Sequence, residues 1–291
     1  MENGILIIDK PKDMTSRDVV NIVAKKLNTR HVGHTGTLDP LATGVLVIGV
    51  NNGCKIIDLL TSDDKEYIAQ IIVGMETDTL DVTGKIIKSY NIENLSKEKV
   101  VSSINHFNNK SYLQEVPKYS AVHVNGKRLY EYARNKIDVE LPKRLVEIKK
   151  CELVSSFDKI DNYYTFSIKV IVSKGTYIRS LIKDIGTYLG YPCTMKNLRR
   201  IRQGHFNIEN SIKLDDIDVH KLVSIEKSLN YYDKMVVEDE FYKKVINGNK
   251  LNIKINNYTL MFDKNNKLLA IYMPYEKDKD MCKPYKVFGG N

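Results

Sequence analysis

Short apolar blocks alternate with polar loops along most of the chain. GILIID (4–9) reads as an apolar strand that Lys10 and Pro11 end. Thr15 and Asp18 have capping-box spacing for a helix over 16–28, and Val19, Val20, Val23 and Leu27 recur on its buried face. GVLVIGV (44–50) predicts a second apolar strand, and 54–60 a short helix. EYIAQIIVG (66–74) alternates in part, which puts Tyr67, Ala69 and Ile71 on one face of a strand. The pattern then predicts a polar loop over 75–85, a helix over 97–107 and an Asn/Lys loop after it. A turn at Asn125-Gly126 leads into a further short helix. The stretches 146–157 and 163–172 alternate as a hairpin across 159–162, 175–189 is helical, and 193–206 is a basic strand and turn.

This order does not repeat strand–helix units regularly, which argues against a doubly wound parallel sheet. The expected class is α+β with a large mixed, mainly antiparallel sheet. A boundary falls near 230–236. Beyond it, short strands are expected at 251–255, 258–262 and 268–273. That leaves an appendage of roughly 55 residues, near the size at which a unit needs its neighbour for support.

Composition narrows the class. The 291 residues are 42% hydrophobic, enough for one large core or a large domain with a small one. No run of eighteen apolar residues exists, so no membrane span is expected. MENGILIIDKP has neither a basic n-region nor a sustained apolar stretch, so it is not expected to be a signal peptide. Cys54, Cys151, Cys193 and Cys282 form no C-x2-C pair and no disulfide framework, which fits a reducing cytoplasm. His31 and His34 would need remote partners to chelate, and no metal is expected. P-loop, H-E-x-x-H, G-x-S-x-G and strand-borne G-x-G-x-x-G motifs are all missing.

The formal charge of +9 biases the chain toward a polyanionic partner, although a lysine-rich solvated surface would give the same total. Placement says more. CTMKNLRRIRQGHF (193–206) carries Lys196, Arg199, Arg200 and Arg202 with no acid. With Lys127, Arg128 and Arg134 it makes a candidate phosphate-binding surface, and Tyr119, Tyr130 and Tyr132 interleave aromatics as looped RNA recognition would use. The segment HVGHTGTLDPLATG (31–44) sets one acid, Asp39, among glycines, threonines and histidines. Asp before Pro caps turns, so a purely structural role stands open. The other role is a carboxylate kept ionised beside a cation, ready to act on an electrophilic carbon. Arg179, in SKGTYIRS (173–180), is the candidate cation, or a surface arginine. Tyr67 either fills the core or meets a flipped base. Lys10 could meet a phosphate or a carbonyl, and Asp81 is a turn acid.

GILIIDKP, GHTGTLDPLATGVLVIG, KEYIAQIIVG, VPKYSAVHVNGKRLYEYAR, SKGTYIRSLIKDIG and LRRIRQGHF stand in this order over residues 4 to about 206. Together they closely resemble the TruB family of bacterial tRNA pseudouridine-55 synthases. The resemblance implies a pseudouridine synthase fold over 1–234, with an inserted RNA-clamping thumb at about 107–160, and a small β-rich PUA-like domain over 235–291. It implies isomerisation of uridine to pseudouridine in the TΨC stem-loop of tRNA, with no cofactor and no guide RNA, by a monomer. Asp39 then corresponds to the catalytic aspartate, Arg179 to its paired arginine, and Tyr67 to the tyrosine that stacks on the flipped base and can take a proton. His34 corresponds to the histidine that supports base flipping, and Lys10 and Leu198 to positions lining the pocket.

The chain departs from the family pattern at Asp13 (usually glycine), Val116 (usually proline), His123 (usually lysine) and Val172 (often cysteine). None of these is a catalytic group, but Asp13 and His123 bear on RNA contacts. Two other readings stand beside this one. A synthase acting on another or a guide-presented RNA is disfavoured by the thumb segment. A non-catalytic tRNA-binding module is disfavoured by Asp39, Tyr67 and Arg179 occurring together.

Overall fold

The computed structural model describes residues 2–61 and 64–288. Strand β1 (Gly4–Lys10) leads to helix α1 (Ser16–Lys26), which opens on a complete Thr15/Asp18 capping box. Strand β2 (Val32–His34) follows within the stretch expected to be loop, and pairs with β3 (Thr43–Val50). A 3₁₀ turn (Asn51–Ile56) and α2 (Ile57–Thr61) come next. Strand β4 (Lys65–Val73) buries Tyr67, Ala69, Ile71 and Val73 on one face. The expected polar loop is flanked by a small hairpin of β5 (Met75–Thr77) and β6 (Ile86–Ser89). Helix α3 (Lys97–Asn105) precedes β7 (Lys110–Glu115), a strand where a loop was expected.

Across Asn125-Gly126, β8 (His123–Val124) pairs with β9 (Lys127–Arg128), and α4 (Leu129–Arg134) follows. Strands β10 (Lys143–Leu153), β11 (Asp158–Ile160) and β12 (Tyr163–Val172) are antiparallel neighbours. Helix α5 (Ile178–Leu189) starts three residues later than expected and ends at Gly190 in the left-handed region. Strand β13 (Cys193–Gln203) and the short β14 (Phe206–Asn207) complete the large sheet.

The sheet order is β1-β3-β13-β4-β12-β10-β7, with β2, β11 and β14 paired beside it. Every pairing is antiparallel except β13 with β3. That parallel contact is very close. A Cβ on Gly44 would lie 2.2 Å from the Arg200 carbonyl oxygen, and Gly44 has φ of +102°, so only glycine fits there. Helices α3 and α5 cover one face of β4, β12 and β13, burying Val100, Ile104, Ile178, Leu181, Ile182 and Ile185. Helix α1 covers one face of β1 and β3. The architecture is therefore α+β with a mixed, mainly antiparallel sheet.

After the short helix α6 (Ile225–Ser228), a second sheet orders as β15 (Asp233–Val236), β16 (Thr259–Phe262), β17 (Leu268–Pro274) and β18 (Cys282–Val287). One face packs Leu260, Phe262, Leu268 and Ile271 against Ile5, Ile7, Val45 and Val47 of the large sheet. The other face packs on helix α7 (Asp239–Ile246), which the charged sequence DEFYKKVI did not announce. The small unit thus shares its core with β1 and β3. The strand expected at 251–255 is absent: LNIKI alternates suitably, but Leu251 makes only an isolated bridge to Cys282.

Candidate active site

The loop carrying Asp39 is fixed from beneath. Ser16, at the start of α1, donates to the Leu38 carbonyl and accepts from the Leu38 amide at 3.2 and 2.9 Å. The Asp13 amide donates to the Pro40 carbonyl at 2.8 Å. Asp13 itself sits at φ of +64°, a left-handed angle that glycine adopts freely and that Asp tolerates. Lys10, wholly buried at the end of β1, points its ammonium at the carbonyls of Pro11, Met14 and Pro40, at 2.8, 2.6 and 3.4 Å. Burial lowers its pKa to about 8, against the opposing pull of Asp39. Lys10 therefore braces the acid loop and does not line the cavity beside it.

Arg179 stands in the first turn of α5 and is 4% exposed. Its Nε meets Asp39 Oδ2 at 2.9 Å. Its two terminal nitrogens donate to the carbonyls of Thr79 and Tyr119, each at 2.9 Å. The guanidinium fork thus fastens three separate segments with its charge out of water. The Asp39 side chain stays 39% exposed, so one end of the carboxylate is held while the group remains reachable.

Asp39 and Arg179 open onto a cavity of about 200 Å³ that Tyr67, Leu198, Lys65 and Tyr177 also line. Tyr67 and Leu198 are nearly buried and supply an aromatic and an aliphatic wall. Such a space admits a planar ring beside a fixed carboxylate. Asp81, the expected turn acid, orders the loop that presents Thr79: its carboxylate accepts from the Thr79 and Thr83 hydroxyls and the Thr83 amide.

Other residues anticipated for binding, Arg200 excepted, lie outside the cavity lining. His34 sits on β2 outside the cavity lining, with its Nδ1 buried and without a hydrogen-bond partner among the described residues. Burial first, then Arg17 and Arg200, lowers its pKa and favours the neutral ring. On β13, Arg199 forms a fork on Asp9 at 3.0 and 2.8 Å. Arg202 pairs with Glu66 at 2.8 Å. Arg200, 1% exposed, lines the cavity but donates to the carbonyls of Val45 and Gly36 at 2.6 and 3.2 Å. The arginines expected to form an open phosphate face are thus committed within the protein. Lys196 is part-exposed. Lys127 and Arg128 are exposed on the 116–142 segment, and Arg128 and Arg134 lie 5.9 and 5.2 Å from the Tyr130 ring centre.

Sequence reasoning missed the carbonyls of Thr79 and Tyr119, because a backbone acceptor leaves no trace in residue type. It also missed Lys65, Lys174 and Tyr177 in the lining. The last two stand within the SKGTYIRS stretch, so closeness to Arg179 was the available signal.

The family model for the N-terminal domain of TruB family pseudouridylate synthases matches residues 24–178. The chain belongs to that family. The model for the tRNA pseudouridylate synthase B C-terminal domain matches 179–240 of this TruB-family chain. Among similar proteins, tRNA pseudouridine synthase B of Bacillus subtilis is 38% identical, over 99% of this chain and 98% of the relative. That of Listeria welshimeri is 39% identical, over 98% of each. A solved H/ACA RNP bound to a substrate RNA containing 2'-deoxyuridine aligns with a TM-score of 0.70 at 23% identity, over 99% of this chain and 85% of that one. A Cbf5-Nop10-Gar1 complex aligns at 0.68 and 24%, over 100% and 84%. These alignments show that the TruB-family chain shares its α+β fold with those proteins.

Proposed function

We propose that this chain isomerises uridine to pseudouridine in tRNA, at position 55 of the TΨC loop. The observation that carries the proposal is the half-exposed Asp39 carboxylate held at 2.9 Å by the buried Arg179, beside Tyr67 and Leu198. In the isomerisation the N1–C1′ bond breaks, the base turns, and C5 bonds to C1′; the C5 proton leaves and N1 ends protonated, so the atoms balance. Cleavage develops positive charge at C1′. An anion already held by the fixed Arg179 needs no reorganisation to stabilise that charge or to trap the carbon. Tyr67 offers a ring to stack on the base and a hydroxyl that can relay the C5 proton, taking it as its own proton passes on. The target base must leave its stack to enter, at a cost of a few kcal/mol. Contacts of the protein with phosphates offset that cost.

Within the segment of about 107–160, β7, β10 and β11 belong to the large sheet, so on this proposal the part that serves as a thumb clamping the RNA loop is 116–142. The exposed Lys127, with the exposed Arg128 and Arg134 beside Tyr130, supports this. Residues 235–291 act as a PUA-like unit that contacts the arm further out. The enzyme works as a monomer without a guide RNA.

The test is Asp39→Ala with unmodified tRNA transcript, mapping pseudouridine by position. The expected result is a rate loss of at least about 10³-fold, with tRNA affinity changed by only a few-fold. Wild-type activity in that variant would overturn the assignment.

A further inference from the structure

We infer that Gln114 is a positioning residue for the Asp39–Arg179 pair, acting through the backbone of Tyr177. The inference rests on the catalytic reading of that pair. Gln114 lies on β7 and is 1% exposed. Its Oε1 accepts from the Tyr177 amide at 2.8 Å, and its Nε2 donates to the Tyr177 carbonyl at 3.2 Å. The second Nε2 hydrogen goes to the Tyr112 hydroxyl at 3.0 Å, which in turn donates to Asp184 at 2.8 Å. Both hydrogens and the oxygen are used, and the Tyr177 N–H fixes which end of the amide is oxygen.

Tyr177 is the residue from which α5 starts, and its own side chain makes no capping bond. Its carbonyl accepts the Leu181 amide, an opening bond of the helix. Gln114 therefore grips both polar groups of the residue that sets where α5 begins, two positions before Arg179. The same stretch holds the first turns of α5 again, through Ser180 on the Glu115 carbonyl and Lys183 on the Glu115 carboxylate. Of these contacts, only the Gln114 clip reaches a cavity-lining residue directly. Losing it lets the start of α5 drift and lengthens the 2.9 Å contact on Asp39.

The test compares Gln114→Met, which keeps volume, with Tyr112→Phe, which breaks the outer half of the chain and leaves the clip. Steady-state kinetics on unmodified tRNA and urea unfolding are measured for both. Gln114→Met should lower kcat by about 10- to 100-fold with KM within about twofold. Tyr112→Phe should lose comparable stability while keeping kcat within about threefold. Unchanged kcat in Gln114→Met, a loss confined to KM, or parallel loss of kcat in both variants would overturn the inference.

If Gln114→Met does not fold, Gln114→Glu replaces it. A neutral acid there restores both bonds to Tyr177, so activity relative to wild type should fall as rising pH ionises it. A flat ratio overturns the inference. The charged and titratable groups around that position are Tyr112 and Glu115 on β7, Arg144 opposite it on β10, Asp184, Lys183 and Arg179 on α5, and Tyr177 and Asp39 beside the cavity. Wild-type protein inactive on tRNA, or active Asp39→Ala, would instead sink the underlying function.

Discussion

Strand β13 and the 116–142 segment are both rich in arginine and lysine, β13 with no acid and the segment with Glu131, Asp138 and Glu140, and the fold treats their cations in opposite ways. On β13, Arg199 and Arg202 are matched to Asp9 and Glu66, and Arg200 is buried on two carbonyls. On the segment, Lys127, Arg128 and Arg134 remain exposed, the two arginines beside the Tyr130 ring. Charge counted along a chain therefore does not measure charge available to a polyanion. Arginine in a central strand must find partners or stay unburied, because a buried unpaired charge costs several kcal/mol. A strand at the sheet centre is where β13 lies, between β3 and β4.

The largest effect that tests this contrast is on stability. Arg200→Met should leave the carbonyls of Val45 and Gly36 without their donor at the β3–β13 junction. Bonds from a charged donor contribute about 1.5–3 kcal/mol each, offset in part by no longer burying the charge, so a net loss of about 2 kcal/mol is expected by urea unfolding. A variant as stable as wild type would place Arg200 with the solvent-facing cations.

Lys10 extends the buried side of the contrast, and pH tests it. Its folded pKa, lowered to about 8 by burial, lies below the unfolded value of 10.5. Between these values the unfolded chain binds more protons, so the Lys10 contribution to stability rises with pH across that window. The stability difference between wild type and Lys10→Met should therefore shift in favour of wild type from about pH 7.5 to about pH 10. A difference independent of pH would mean that Lys10 is solvated.

The parts of the fold that were legible in sequence are those whose cause is local. The capping box of Thr15 and Asp18, the alternation around Tyr67 and the Asn125-Gly126 turn are each set by neighbouring residues. Strand β7 was not legible because it is an edge strand with mixed exposure, whose polar residues read as loop. Helix α7 is short and charged, with Val245 its buried anchor. The stretch 251–255 has strand alternation but pairs at Leu251 alone, and pairing decides. Within the site, Asp39, Arg179, Tyr67 and Leu198 were anticipated and lie around one cavity. The fates of Arg199 and Arg202 were not readable, because their acids lie 190 and 136 positions away in the chain.

The smallest effect separates the two basic regions most directly. The double variant Lys127→Ala with Arg128→Ala should leave stability within about 0.5 kcal/mol, since both side chains are exposed. On the proposed function those side chains meet phosphates, so tRNA affinity should fall several-fold at low salt. The slope of log affinity against log salt should flatten by about 1–2, one step per lost contact. Arg199→Ala should do the reverse. Its fork on Asp9 is part-exposed, so about 1 kcal/mol of stability is lost, and the salt slope stays where it was. Equal flattening in both variants would show that Arg199 leaves Asp9 for RNA on binding, and the distinction between matched and free charge would then hold only for the protein without its partner.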